Sequence, residues 1–145
     1  YEWDTIVSSQ LSRAAETADL IAAGLGLRVA RRVPELAERN FGPAEGLQAG
    51  PELEALRIPN GFRGAESEDE AAGRGLAALE ALAEEFRGRR VLAVAHGTLL
   101  RVSLSRAVGR TLESIDNAVL NLAHHHAGDG WELEYFNGER VMAAV

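Results

Sequence analysis

Three residues in three separate stretches have the chemistry to act together on an anion. Arg13 stands in "SSQLSRAAET", in the first turn of an expected helix. A cation there opposes the positive end of the helix dipole unless an anion lies between them. A phosphate would supply that anion and could accept a two-pronged guanidinium contact. The plainer reading is an arginine on a solvated face. His96 ends the apolar run of "VLAVAHGTLLR", just before a glycine and a second helix start. A histidine so placed can present a ring nitrogen to a ligand; Gly97 admits close backbone approach, and the amides of Thr98 and Leu99 can face an anion. The competing reading is a buried, internally bonded histidine. Glu38 lies in the aperiodic "LAERNFGPAEG". Held in a partly desolvated loop its carboxyl can serve as an acid, and the same holds for Glu45; otherwise both are surface carboxylates.

His124, His125 and His126 raise a metal hypothesis. On a strand, His124 and His126 share one face, which is a start toward a zinc site. A third ligand and an open position are still needed, and no HExxH or comparable spacing occurs, so no metal is assigned. The chain has no cysteine, which excludes disulfides, thiolate zinc sites and a thiol nucleophile and fits a cytoplasmic protein. A net charge of −7 argues against a nucleic-acid surface, though a local arginine cluster can reverse the field inside a cleft. No apolar run reaches the roughly 20 residues of a membrane helix. The expected partner is therefore a small molecule, with neither nucleic acid nor membrane; oligomeric state stays open, a homodimer included.

These side chains need elements to hold them. The 145 residues suit one domain with a real core. "DTIVSS" (4–9) reads as a buried strand. A helix follows with Leu11, Ala14, Ala18, Ile21 and Leu25 as its apolar stripe and Gly26 as its stop. "RVARRV" (28–33) is a second strand, closed by Pro34. Residues 34–66 are rich in Gly, Pro and charge, with one short helix expected near Pro51–Leu56; connections this long are often binding loops. Ser67 and Glu70 form a capping box opening a helix with Ala72, Leu76, Leu79, Ala83 and Phe86 inward and Gly88 at its end. "VLAVA" (91–95) predicts a central parallel strand covered on both faces. A helix over 98–108 follows, and "LNLAHHH", "AGDG" and "WELEYF" read as a hairpin. The order predicts an α/β fold, a three-layer open, mainly parallel sheet with helices on both faces. Such sheets bind ligands at the carboxyl ends of their strands, where "SSQLSR" and "AHGT" both fall.

Taken together, "SSQLSRAAETA", "LAERNFGPAEG", "VLAVAHGTLLR" and the closing "DNAVLNL…WELEYFN" resemble the motifs of the histidine phosphatase superfamily, with its phosphoglycerate mutase-like fold. They occur in the family's order and span nearly the whole chain. The resemblance implies a phosphomonoester hydrolase working through a phosphohistidine intermediate on a small phosphorylated metabolite, with no cofactor. It implies that Arg13 grips the phosphoryl group, that Glu38 is the general acid for the leaving oxygen, and that His96 stabilises the phosphoryl oxygens. Gly97 and Thr98 would contribute to substrate binding. "GPAEGL" and the short excursion 48–66 look more like the phosphatase branch than the mutases. A mutase-type phosphotransferase remains the alternative.

The family's nucleophile is another histidine, in an R-H-G motif ending the first strand, and no RHG occurs here. Its only methionine is Met142, so Tyr1 is not expected to be an untouched translation start, and the motif is expected upstream. On that reading residues 1–145 form one domain lacking its first strand, inactive alone. A non-catalytic domain that still holds phosphorylated ligands is the competing hypothesis. A metal-dependent hydrolase using His124 to His126 is a third.

Overall fold

β1 (Thr5–Ser9) is buried at all five positions and lies between two parallel neighbours, β2 (Val29–Val33) and β5 (Val91–Val94), in the order β2-β1-β5. Its β-branched residues suit a strand packed on both faces. Side chains alternate across a strand: Val7 joins a core with Leu82, Leu99 and Val102, while Ile6, also fully buried, stays out of that cluster. The computed structural model describes residues 2–59 and 61–141. Tyr1 and Met142, on which the expectation about the chain's start rests, lie outside the described residues.

α1 (Ser12–Leu25) follows β1 and packs on β1, β2 and β5. It stops where expected: Gly26 adopts φ 70°, and its amide reaches the carbonyls of Ala22 and Ala23, a left-handed cap that favours glycine. The buried stripe is Ala14, Ala18 and Ala22, whereas Leu11 and Leu25 are 41% and 49% exposed. Small residues form the stripe because they let the helix sit close to the sheet. Between β2 and the next long helix run two 3₁₀ turns (Pro34–Leu36 and Gly42–Ala44), α2 (Pro51–Leu56), and a minimal hairpin of β3 (Arg57–Ile58) and β4 (Gly61–Phe62).

α3 (Glu68–Glu85) begins with the expected capping box: Ser67 Oγ accepts from the Glu70 amide, and the Glu70 carboxylate accepts from the Ser67 amide. Its fully buried face is Ala71, Ala72, Gly75, Ala78 and Leu82; of the expected stripe, Leu76, Leu79, Ala83 and Phe86 are only half-buried. Close packing on α4 (Gly97–Val108) sets this phase. A Cβ added at Gly75 would fall 1.9 Å from Ser103 Oγ. After α4, the chain closes with an antiparallel sheet of β6 (Leu122–His126), β7 (Gly130–Phe136) and β8 (Glu139–Arg140), tied to α4 by Leu104, Leu112 and Leu133.

The fold is α/β with a parallel sheet and helices, as the order of elements predicts. One expectation fails. β5 is not central among the described residues: it ends its sheet, and every residue in it is half-buried. Between β5 and β6 runs a cleft of about 590 Å³, lined by Val91, Leu92 and Ala93 on one side and Leu122 and Ala123 on the other. Trp131, which also lines it, has a buried indole N–H without a hydrogen-bond partner among the described residues. An apolar strand is normally covered on both faces and paired along its edges.

Candidate active site

The carboxyl ends of β1 and β5 lie side by side, with Ser8 opposite Val94, and this register decides what meets beyond them. Ser9 ends β1, and two residues after β5 comes His96, in extended conformation at φ −134°, ψ 151°, just before α4. The His96 ring reaches back, placing Nε2 2.9 Å from Ser9 Oγ. Arg13 is the second residue of α1. Glu38 comes from the loop after the first 3₁₀ turn. A cavity of about 260 Å³ is lined by Arg13, Glu38, His96, Gly97 and Thr98 together, with Arg101, Ser114, Ile115 and Asn117 around them. The five residues to which the resemblance gives a place in the site therefore line one cavity.

The arrangement at the α4 N-terminus is unexpected in one respect. The amides of Thr98 and Leu99 do face an anion, and it is Glu38: they donate to its Oε2 and Oε1 at 3.2 and 2.8 Å. The Arg39 amide adds a third bond to Oε1 at 2.9 Å. Helix termini leave such N–H groups without intrahelical partners, and a carboxylate there is favoured by the dipole. Glu38 thus performs the capping that no side chain of His96 supplies. Gly97 is sterically unforced: a Cβ there would meet only the Ile115 carbonyl, at 3.5 Å, an ordinary contact.

A clamp invisible to sequence periodicity fixes the Glu38 loop. Arg74, two turns into α3, donates through Nη1 to the carbonyls of Glu35 and Ala37 at 2.7 and 2.9 Å. Its Nε and Nη2 grip the Glu66 carboxylate at 2.9 Å each. That bond is the main reason the Glu66 carboxyl sits below its ordinary range. Glu66 in turn accepts from the Asn40 amide and, through its carbonyl, from Arg39 Nε at 2.7 Å. Arg39 is buried, its guanidinium 4.8 Å from the Phe41 ring centroid. Glu45 is exposed and accepts from the Phe41 amide; it does not line the cavity.

Burial holds His96 below the usual histidine value; Glu38 pulls the other way and Arg13 adds to the lowering. The ring is therefore neutral near pH 7. Arg13 is exposed, and no carboxylate pairs with it among the described residues, whereas Arg101 is held by Glu68 at 2.7 Å. The cavity thus offers a cation without a carboxylate partner among the described residues, a neutral imidazole, and two helix amides bonded to the Glu38 carboxylate.

His124 and His126 do share one face of β6, yet each is paired with a β7 carboxylate, Glu134 at 2.9 Å and Glu132 at 3.3 Å. His125 packs on Trp131. Among the described residues, no group of three or more histidine, aspartate or glutamate side chains could hold a metal ion, and none of these histidines lines the 260 Å³ cavity. Among the described residues, no helix is long and apolar enough to cross a membrane. Sequence reasoning missed Ser9, Arg101, Ser114, Ile115 and Asn117. Ser9 had a signal, since it stands at the end of a buried strand beside the strand that ends at His96.

Residues 1–139 match the family model of the histidine phosphatase superfamily (branch 1). The chain is 34% identical over 138 residues to a metal-independent phosphoserine phosphatase of Arabidopsis thaliana, covering 82% of this chain and 55% of that protein. It is 32% identical to the phosphoglycerate mutase-like protein 4 of the same plant, covering 89% and 62% respectively. It therefore spans less than two thirds of either relative. Among solved structures, a mycobacterial glucosyl-3-phosphoglycerate phosphatase superposes with a TM-score of 0.77 at 25% identity, over 94% of this chain and 78% of that one.

Proposed function

Since the chain belongs to branch 1 of the histidine phosphatase superfamily, we propose that its cavity is the phosphate-gripping part of a phosphomonoester hydrolase acting on a small phosphorylated metabolite. The observation that carries this reading is the convergence of Arg13, Glu38, His96, Gly97 and Thr98 on one 260 Å³ cavity. Phosphoryl transfer needs positioning and charge neutralisation more than covalent chemistry from the protein. Arg13 supplies a fork of donors for two phosphoryl oxygens. His96 donates a hydrogen bond to a third. The amides of Thr98 and Leu99 take phosphoryl oxygens in place of Glu38, and the carboxyl so released serves the leaving oxygen as general acid.

The attacking imidazole is not among these residues. Of the four histidines, His96 alone lines the cavity. We propose that the nucleophile belongs to an R-H-G strand outside this sequence, and that this strand seats in the cleft between β5 and β6. The half-buried apolar edge of β5 and the unpartnered indole N–H of Trp131 support that seat. In the first step a nitrogen lone pair attacks phosphorus in line; Glu38, having taken a proton from the phosphomonoester monoanion as its carboxylate leaves the amides, passes that proton to the substrate oxygen as the bond from that oxygen to phosphorus breaks. In the second step water attacks the phosphohistidine, losing a proton to Glu38. The nitrogen–phosphorus bond breaks and inorganic phosphate leaves.

The names of the phosphoserine and glucosyl-3-phosphoglycerate phosphatases favour hydrolysis over transfer to a second substrate oxygen. On this scheme the 145-residue chain binds phosphate but does not turn over. Its release of phosphate from an aryl phosphate should be negligible, whereas the same chain extended by an R-H-G strand should be active. Turnover by the chain alone, or inactivity of the extended chain with its phosphate affinity intact, would count against the scheme. The absence of RHG also supports a second reading, a domain that only binds phosphorylated ligands; inactivity of the extended chain would favour it.

A further inference from the structure

The contact between Ser9 and His96 determines more than the ring's position. Ser9 is fully buried. Its Oγ accepts a hydrogen bond from the Leu11 amide at 3.2 Å, and its other polar neighbour is His96 Nε2 at 2.9 Å. The adjacent Ser8 is occupied elsewhere, donating to the Ser9 carbonyl and accepting from Arg32 Nη1. The Ser9 hydroxyl hydrogen therefore has one acceptor among the described residues, the lone pair on Nε2. Were Nε2 protonated, it would donate to Oγ and leave a buried hydroxyl hydrogen without an acceptor, losing the hydration given up on burial.

We infer that Ser9 is a positioning residue whose hydroxyl donates to His96 Nε2, fixing the neutral ring in the Nδ1–H tautomer and making His96 a donor to the cavity rather than a nucleophile. The ring has two nitrogens, so assigning the proton assigns both roles. Nδ1 has no protein partner among the described residues, and His96 lines the cavity. An imidazole attacks phosphorus only through an in-plane lone pair. On His96 one nitrogen's lone pair is bonded to Ser9, and the other nitrogen carries the proton. The lone cavity histidine therefore cannot stand in for the missing nucleophile. Instead its N–H points the correct polarity at a phosphoryl oxygen.

The charged groups facing the ring are Glu38 from its loop, Arg13 from α1 and Arg101 from α4. An imidazolium would carry protons on both nitrogens and leave the Ser9 hydrogen without an acceptor, so the same contact favours the neutral ring. Burial acts in the same direction. This inference deepens the phosphatase reading and rests on it only for the statement that the cavity's occupant is a phosphoryl group.

The test needs no turnover. In the chain labelled with ¹⁵N-histidine, at about pH 8 where an ordinary histidine is neutral, long-range ¹H–¹⁵N correlations identify the protonated nitrogen of His96. We expect Nδ1–H to dominate by at least about tenfold, the ratio set by one orphaned buried hydroxyl. Ser9→Ala should reduce that preference to a few-fold at most, and Ser9→Thr, which keeps a hydroxyl, should restore it. A proton on Nε2 in the parent chain would overturn the inference, whether or not either variant folds. So would a Ser9→Ala ratio equal to the parent's. Failure of phosphate to bind would count against the phosphatase reading and leave this result standing.

Discussion

Removing the Glu38 side chain separates the two jobs assigned to it. In the structure its carboxylate accepts three backbone N–H bonds, from Thr98, Leu99 and Arg39. Loss of a helix N-cap costs about 0.5–2 kcal/mol. Loss of a negative charge at a helix N-terminus costs about 0.3–1 kcal/mol, and the Arg39 amide adds about 0.5–1.5 kcal/mol. The site is half-buried, so water recovers part of this, and Glu38→Ala should destabilise by about 2 kcal/mol. At roughly 2–4 °C per kcal/mol for a chain of this size, the melting temperature should fall by about 4–8 °C. The control is Glu45→Ala, which removes an exposed carboxylate bonded to the Phe41 amide and should stay within about 0.5 kcal/mol. Inorganic phosphate supplies the decisive arm. In the parent it must displace Glu38, whereas in Glu38→Ala it meets free amides and no like charge. Saturation at 100 times Kd contributes about 2.7 kcal/mol, so at one fixed phosphate concentration the variant should gain more stability than the parent. Thermal denaturation with and without phosphate reads both effects. Equal losses for Glu38→Ala and Glu45→Ala, or a smaller phosphate gain in the variant, would refute the displacement argument.

Arg13→Ala should leave stability within about 0.5 kcal/mol, because the guanidinium is exposed, has no carboxylate partner among the described residues, and opposes the helix dipole. Phosphate affinity by calorimetry should nevertheless fall at least about tenfold, and the rate of an R-H-G-extended chain on the order of a hundredfold. For His96 the sign follows from its lowered pKa. As pH falls through the ordinary value of about 6.5, the unfolded chain takes up a proton that the folded chain refuses, so stability drops in that window. Urea unfolding of His96→Asn should show a shallower drop there; matching slopes would contradict the assignment. Gly75→Ala would drive a methyl to 1.9 Å from Ser103 Oγ and should cost about 1–3 kcal/mol by overpacking, measurable as a lowered urea midpoint; an unchanged midpoint would refute the α3–α4 packing account.

Local signals were read well from the sequence, and long-range ones were not. The Ser67–Glu70 box, the stop at Gly26, and α2 at Pro51–Leu56 depend on neighbours a few residues away, and the structure has each of them. The inward faces of α1 and α3 were legible only in part: Ala14, Ala18 and Ala72 are buried as the pattern predicts, but Ala22, Gly75 and Ala78 complete those faces in place of the larger side chains the pattern favours, because small residues let the helices approach closely. The place of β5 depends on what lies beside it, which its own apolar residues cannot say. Arg13, Glu38 and His96 were each legible as candidates. Their meeting was not, because Glu38 reaches the site through a loop clamped by Arg74, whose partners lie up to 39 residues away. Nor did Glu38's sequence context show that it caps α4, since an N-cap contributed from 60 residues away leaves no local mark.

The account rests on one shared anion seat, and an ¹H–¹⁵N titration of the chain with inorganic phosphate tests it most directly. The amides of Thr98 and Leu99, the Arg13 Nε–H and the His96 ring should all shift along a single binding curve, with one dissociation constant. Phosphate that moves these groups with unrelated affinities, or that saturates elsewhere and leaves them unmoved, would contradict it.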